Sequence, residues 1–247
     1  MRFTVWYLGH SGFAAEAGGR FLVFDYFKTT PEAPRFGLDG GVVDPDALKK
    51  YETVTVFASH AHPDHFAREI LKWEDAHPNI RYVLSHDIRK LPKNAPITRA
   101  HPHETYNLGD MTVRTLKSTD EGVAFIVEMG DLRLYHAGDL NWWHWEGAPD
   151  EDNLAQQRGY AAEMAKIRGE RFDAAFVPVD PRLEKQALWG LTAFMEAAEA
   201  ENVFPMHFWD DYAIFDRIEN DPAAAAWRGR VRRITRRGER FDLESGS

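Results

Sequence analysis

Residues 54–65 read Val54-Thr55-Val56-Phe57-Ala58-Ser59-His60-Ala61-His62-Pro63-Asp64-His65. Val54 to Ala58 is a nearly continuous apolar run, which predicts a strand buried on both faces. The polar cluster behind it is the most informative segment of the chain, with three imidazoles and a carboxylate within six residues. Residues i and i+2 of an extended segment share a face, so His60 and His62 can converge on one point. Pro63 favours extended geometry at His62, which lets Asp64 and His65 aim elsewhere. Imidazole and carboxylate at this density match the ligand set of a hydrolytic Zn²⁺, Mn²⁺ or Fe²⁺ site. A histidine-rich polar turn is the plainer alternative, but four potential ligands at one strand end are rarely an accident.

Composition narrows the chemistry further. The chain has 247 residues, 30 Lys+Arg against 39 Asp+Glu, a formal net charge of -9, 11 histidines and no cysteine. Without cysteine there is no disulfide framework, iron–sulfur cluster or thiolate-held metal. Any metal must therefore be held by imidazole, carboxylate and water. With 44% apolar and 13% aromatic residues, global disorder is excluded. The acidic balance argues against nucleic acid as a partner and leaves a small-molecule substrate as the expectation. The Arg-rich stretch Arg228 to Arg240 is the one strong basic run, and it predicts a solvated strand face. No run of about 18 apolar residues occurs, so no membrane span is expected. The opening Met1 to Phe13 lacks a signal-peptide pattern, which makes the cytoplasm the expected compartment.

Outward from the motif, the first half reads as short strands: Phe3–Leu8, then a hairpin of Phe13–Ala17 and Arg20–Phe24 around Gly18-Gly19. Residues 28–45, rich in proline and glycine, predict a long loop. A helical stretch is expected from about Phe66 to Ala76. Further strands are expected at Arg81–Leu84, Met111–Leu116, Val123–Met129, Leu132–His136, Phe172–Val179 and Val203–Met206. Helices are expected at Asp152–Arg168 and Leu191–Glu201, with a helical turn at Ala223–Gly229 and a short basic strand or two within Arg230–Leu243. No Gly/Ser linker and no internal repeat divides the chain, so residues 1–247 are expected to form a single domain.

His60-Ala61-His62-Pro63-Asp64-His65 resembles the H-x-H-x-D-H signature of the metallo-β-lactamase superfamily. Phe21 to Tyr26 resembles the family's early strand ending in an aspartate, here Asp25. Leu134-Tyr135-His136-Ala137-Gly138-Asp139-Leu140 resembles the strand and Gly-Asp turn that supply a bridging aspartate, here Asp139. Val203 to His207 resembles the late strand that supplies the last histidine. The resemblance extends along most of the chain. It implies an α/β (α+β type) fold, a four-layer αββα sandwich with the metal site at the strand ends. Residue by residue, it implies His60 and His62 at a first metal position and Asp64, His65 and His207 at a second, with Asp139 bridging. Asp25 would orient the motif loop through hydrogen bonds.

One element departs from the family. Another histidine is expected between the motif and the bridging aspartate, and this chain has Lys117-Ser118-Thr119-Asp120-Glu121-Gly122-Val123 there. Asp120 is the chemically acceptable substitute ligand, whereas a hydroxyl is a poor one. A capped polar turn is an equal alternative for Ser118 and Asp120. The reading favours a single strongly held ion with a weak or substituted second one, Zn²⁺ first and Mn²⁺ or Fe²⁺ next. His77, His86, His101 and His103 are expected to be bystanders, and His136 a packing or orienting residue.

Two aromatic clusters, Trp142-Trp143-His144-Trp145 and Phe208-Trp209, follow two of the implied ligands. They predict either core packing or an aromatic-walled pocket. Asp64 is the candidate to orient or deprotonate a water, and His10 and His144 are candidate proton donors or substrate contacts. Asn141 could polarise a carbonyl or hold a phosphate, and Asp180 could face the same rim. A metal with an open position lowers the pKa of bound water toward about 7, and the hydroxide attacks a carbonyl or phosphorus. The expected activity is metal-dependent hydrolysis of a small ester, lactone, amide or phosphoester. Competing expectations are a nuclease or phosphodiesterase of the same fold, a non-catalytic or sensing metal-binding protein, and a di-iron oxidoreductase. His62 opposes the last, because that branch typically has a glutamate there.

Overall fold

A computed structural model describes residues 1–246. The strands of the first half are β1 (Arg2–Gly9), β2 (Gly12–Ala17), β3 (Arg20–Phe24), β4 (Thr53–Ala58), β5 (Ile80–Ser85) and β6 (Ile97–Ala100). Next come β7 (Thr105–Asn107), β8 (Thr112–Lys117), β9 (Val123–Met129) and β10 (Leu132–His136). The remainder holds α1 (Asp150–Lys166), β11 (Arg171–Pro178), α2 (Trp189–Ala197), β12 (Glu199–Met206), α3 (Ile214–Asn220) and β13 (Arg240–Glu244). The chain folds as two compact units, residues 1–101 with the stretch from Ile234 onward, and residues 102–233.

The first unit carries a seven-stranded sheet in the order β13-β1-β2-β3-β4-β5-β6. From β13 to β3 the neighbours are antiparallel, and β3, β4, β5 and β6 run parallel. The β2–β3 hairpin turns at Gly18-Gly19, whose φ values of 54° and 77° suit glycine and the twist of flanking strands. As the apolar run predicts, β4 is buried from Val54 to Ala58. One face packs Val54, Val56, Val23 and Tyr82 against Leu48, Ile70 and Trp73. Each fully buried aliphatic side chain there contributes about 1.5–3 kcal/mol.

The second unit has a six-stranded sheet in the order β12-β11-β10-β9-β8-β7. Here β10, β11 and β12 are parallel, and β7 to β10 are antiparallel. Helix α1 begins with Asp150, Glu151 and Asp152 and ends at Lys166, matching the helix dipole. Tyr160 of α1 donates its hydroxyl to the Gly190 carbonyl of α2 at 2.8 Å, and Phe194 of α2 stacks on Tyr135 of β10.

Several boundaries differ from the sequence expectations. The helix expected to reach Glu201 stops at Ala197, and β12 starts at Glu199. Glu199 and Glu201 both reach Arg171 across the parallel β11–β12 pair, so strand pairing overrides helical propensity. Between Phe66 and Ala76 the helix is 3₁₀ and shorter, Arg68–Asp75, because Ala67 is extended and its N–H bonds to Tyr26 O at 2.9 Å. Strands β6 and β7 and helix α3 were not anticipated. The loop over residues 28–45 contains a 3₁₀ turn, Gly37–Gly40. Arg237 anchors this loop, donating to Leu8 O, Thr30 O, Lys28 O and Gly41 O at 2.6–2.7 Å. The basic run is therefore not simply a solvated face: Arg237 is buried, and only Arg240 lies in a named strand.

Candidate metal centre

In the first unit the parallel strands β3 and β4 end side by side, with Phe24 opposite Phe57. Asp25 therefore emerges next to Ser59. Its left-handed backbone (φ 44°) turns the carboxylate under the motif loop, where it is fully buried. Oδ1 accepts the Ser59 N–H at 2.7 Å, and Oδ2 accepts both Ser59 Oγ and His65 Nδ1 at 2.7 Å. Ser59 Oγ also lies 2.9 Å from His60 Nδ1. A carboxylate accepts and a hydroxyl has one proton to give, so the Nδ1 protons of His60 and His65 both point toward Asp25 or its serine. Both rings then present Nε2 as a lone pair. His60 Nε2 and His62 Nδ1 are 3.0 Å apart and face one point.

His10, Asp64 and His65 form a second knot in this unit, each offering a ligand atom within 4.8 Å of the others. His10 Nε2 is 3.4 Å from Asp64 Oδ2. Burial raises the Asp64 pKa, but the hydrogen bond from His10 and the charge of His65 outweigh it and hold the group well below the usual carboxylate range. His10 has φ 55° and donates its backbone N–H to Tyr7 Oη at 2.8 Å.

The second unit repeats the arrangement at its own strand ends. Because β10, β11 and β12 are parallel and adjacent, Asp139, Asp180 and His207 emerge at one edge of the sheet. Asp180, fully buried, accepts from His207 Nδ1 at 3.0 Å and Trp209 Nε1 at 3.2 Å. Arg182 closes on the same carboxylate with Nε and Nη2 at 2.6–3.0 Å. Burial works against ionisation of Asp180, but His207 and Arg182 bring its pKa down to about 2. His207 Nε2 faces Asp139 Oδ1 at 3.5 Å. Burial disfavours the imidazolium, yet Asp139 and then Asp180 push the His207 pKa up to about 10. Two carboxylates thus surround His207 with a field that attracts a cation.

The loop before β9 approaches the Asp139 turn. Thr119 Oγ1 donates to Asn141 O at 2.6 Å and accepts the Asn141 N–H at 3.0 Å. Ser118 Oγ accepts the Asp120 N–H at 3.1 Å, the capped turn allowed by the sequence. The Asp120 carboxylate nevertheless lies within 4.8 Å of Asp139. Trp143 Nε1 donates to Asp139 O at 3.0 Å.

Other residues fall out as follows. His144 packs on Trp189, with centroids 4.9 Å apart, and belongs to no donor group among the described residues. Asn141 is fully buried, its side-chain amide has no hydrogen-bond partner among the described residues, and a Cβ on Gly190 would come within 1.8 Å of its Oδ1. His136 is buried against Phe176, and its Nδ1 accepts the Gly138 N–H at 3.2 Å. His103 pairs with Glu163, His86 stacks on His101, and His77 accepts from Asn79 N. The aromatic clusters divide: Trp143 and Phe208 are core, whereas Trp145 and Trp209 are exposed. Sequence reasoning missed the His10–Asp64 pairing and gave Arg182 no part, although the string Val179-Asp180-Pro181-Arg182 placed it two residues from a strand-end aspartate.

Residues 4–144 match the family model described as a beta-lactamase superfamily domain. The chain is 24% identical over 155 residues to a metal-dependent hydrolase of Aeropyrum pernix, a stretch covering 54% of this chain and 60% of that relative. The chain thus spans less than two thirds of that relative's length. Among solved structures, Igni18, a metallo hydrolase from Ignicoccus hospitalis, matches at TM-score 0.64 and 19% identity, covering 100% of both chains. The metallo-beta-lactamase fold protein YhfI of Bacillus subtilis matches at TM-score 0.58 and 15% identity, over 98% of this chain and 100% of that one. The diiron beta-hydroxylase CmlA of Streptomyces venezuelae matches at TM-score 0.55 and 14% identity, over 83% of this chain and 44% of CmlA. A mixed α/β chain with two sheets and an H-x-H-x-D-H loop at a strand end defines the class. This chain belongs to the metallo-β-lactamase superfamily. Among the described residues, no helix is long and apolar enough to cross a membrane.

Proposed function

We propose that the chain is a metal-dependent hydrolase of a small ester, lactone, amide or phosphoester. In this reading Asp64, His65, Asp139 and His207 would hold the stronger ion. His60, His62 and Asp139 would hold a weaker one, with Asp120 in place of the missing histidine. The donor set of imidazole and carboxylate suits Zn²⁺ first, with Mn²⁺ or Fe²⁺ as alternatives. One observation carries the proposal: buried carboxylates fix the Nδ1 protons of His65 and His207, directly and at hydrogen-bond distance, so both rings offer Nε2 to a cation.

When bound, the metal supplies Lewis acidity that acidifies a water toward a pKa of about 7 and polarises the substrate carbonyl or phosphoryl. The side chains manage the protons. Asp64, kept ionised by His10 and His65, accepts a hydrogen bond from the attacking water and orients it. His10, 3.4 Å from Asp64, is placed to pass a proton toward the leaving group. Asp25 and Asp180 hold the rings in one tautomer throughout.

Elemental analysis of the purified protein, followed by a panel of generic esters, lactones and phosphodiesters before and after chelation, tests this. Turnover should fall with metal removal and return on adding Zn²⁺ or Mn²⁺. Hydrolysis persisting in protein verified to be metal-free would sink the proposal. The non-catalytic reading has one feature in its favour, the carboxylate of Asp120 where the family has imidazole. Stoichiometric metal without turnover across the panel would select it.

A further inference from the structure

We infer that Arg182, clasped between Trp145 and Trp209 beside His207, is a specificity-determining residue that receives an anionic group of the substrate. Resting on the hydrolase reading above, this narrows its substrate to one bearing a carboxylate or phosphoryl group near the bond that is cleaved. Ring and guanidinium contacts run in a closed belt. Trp145 stacks on Trp143 with centroids 6.1 Å apart, Trp143 meets the edge of His207 at 5.4 Å, and His207 meets Trp209 at 5.5 Å. Arg182 closes the belt, 4.6 Å from the Trp209 ring and 5.5 Å from that of Trp145. The inner members, Trp143 and His207, are buried, while Trp145 and Trp209 are 38% and 47% exposed and the Arg182 side chain is 50% exposed.

This geometry suits anion capture. A guanidinium stacked on rings is weakly hydrated and held in one rotamer, so it loses little water and little freedom when an anion docks. Its Nε and Nη2 already meet Asp180, so an incoming carboxylate or phosphoryl oxygen is met on the solvent-exposed side of the guanidinium. Arg182 and His207 bond to the same oxygen, Asp180 Oδ2, which sets the captured anion close to the implied ligand. Asp180 already accepts from His207 and Trp209, so bracing that carboxylate does not by itself require an arginine. The backbone is strained where the belt is set: Trp209, Asp210 and Glu184 have φ of 53°, 58° and 50° without being glycine. Strain of this kind persists where the surroundings over-determine a position, and it clusters at ligand clamps.

The test compares wild type with R182Q and R182K at equal metal stoichiometry. Each is titrated calorimetrically with inorganic phosphate and, separately, with succinate, and kcat/KM is measured for matched acidic and neutral esters. R182Q should weaken at least one anion tenfold or more and lower the acidic-to-neutral selectivity by a similar factor, with R182K intermediate. Equal anion affinity in wild type and R182Q overturns the inference. So does an R182Q protein that cannot be loaded with metal, since Arg182 would then serve only to brace Asp180. Arg182-dependent phosphate affinity in a wild type that hydrolyses nothing would remove the hydrolase reading and leave the anion site standing. Hydrolysis with no Arg182-dependent selectivity would do the reverse.

Discussion

Each unit brings its candidate donors to the carboxyl ends of adjacent parallel strands, and each fixes a histidine through a buried carboxylate: Asp25 with His65, Asp180 with His207. The material differs. In the first unit the donors lie in one short loop, Ser59 to His65, and a single aspartate from the neighbouring strand end orders it through three hydrogen bonds. In the second unit Asp139, Asp180 and His207 come from three separate strands, and an indole and a guanidinium help to hold them. A loop supported by one carboxylate concentrates its dependence in that residue. A site assembled from three strand ends spreads its dependence over ring stacking and sheet register.

The largest expected effect comes from removing one implied ligand in each unit. His65→Ala in the first unit and Asp139→Ala in the second should each abolish bound metal and hydrolysis together, measured by elemental analysis and turnover of the same preparation. If either variant keeps full stoichiometry and rate, that residue is not a metal ligand and the comparison breaks. Next in size is Arg237→Ala. It removes a buried guanidinium from four carbonyls of the first unit, at a cost of about 3 kcal/mol in unfolding by urea. Faster hydrogen exchange should appear in residues 28–41 ahead of the second unit's strands. Uniform acceleration throughout the chain would show that Arg237 does not act locally.

The paired carboxylates give the sharpest contrast. Asp25→Asn and Asp180→Asn should each weaken metal affinity by about 10- to 100-fold, because the orienting acceptor becomes an amide that also donates. Both should also reduce stability: Asp25→Asn by about 1–3 kcal/mol, since its amide opposes the Ser59 N–H or the His65 Nδ1–H in a fully buried place, and Asp180→Asn by at least as much, since His207 and Arg182 lose their counter-charge. Wild-type thermal stability in Asp25→Asn would show that the motif loop is held by more than Asp25.

The same contrast explains what was legible in the sequence. The motif loop could be read because its ligands are consecutive and a buried apolar strand precedes them. Asp139 and His207 were reached only through the resemblance, since a lone turn aspartate and a lone late histidine carry no local signature. Asp180 is legible as the end of an apolar strand, but its partners depend on the parallel register of β11 and β12, which no local pattern encodes. The Arg182 belt was invisible for the same reason. Glu199 to Glu201 misled, because alanine-rich helical propensity continued past the point where pairing with Arg171 takes over. Arg237 differs: an arginine in a basic run predicts a solvated side chain, whereas its burial against four carbonyls comes from the tertiary path of the 28–41 loop.

The smallest effect concerns the place where this chain departs from its family. Asp120 lies near Asp139, on a turn capped by Ser118 and tied through Thr119 to Asn141. If it completes a weak metal position with His60 and His62, Asp120→Ala should lower metal stoichiometry toward one ion per chain while the stronger ion stays. Asp120→His should raise it toward two, because imidazole is the ligand the family pattern supplies there. Replacing a charged ligand by a neutral one also leaves more net positive charge at the ions, which favours anionic substrates and should raise, modestly, the acidic-to-neutral preference assigned to Arg182. Elemental analysis after limiting dialysis reads the stoichiometry, and competition with a chelator ranks the two affinities. Identical stoichiometry in wild type, Asp120→Ala and Asp120→His would make Asp120 a turn residue only.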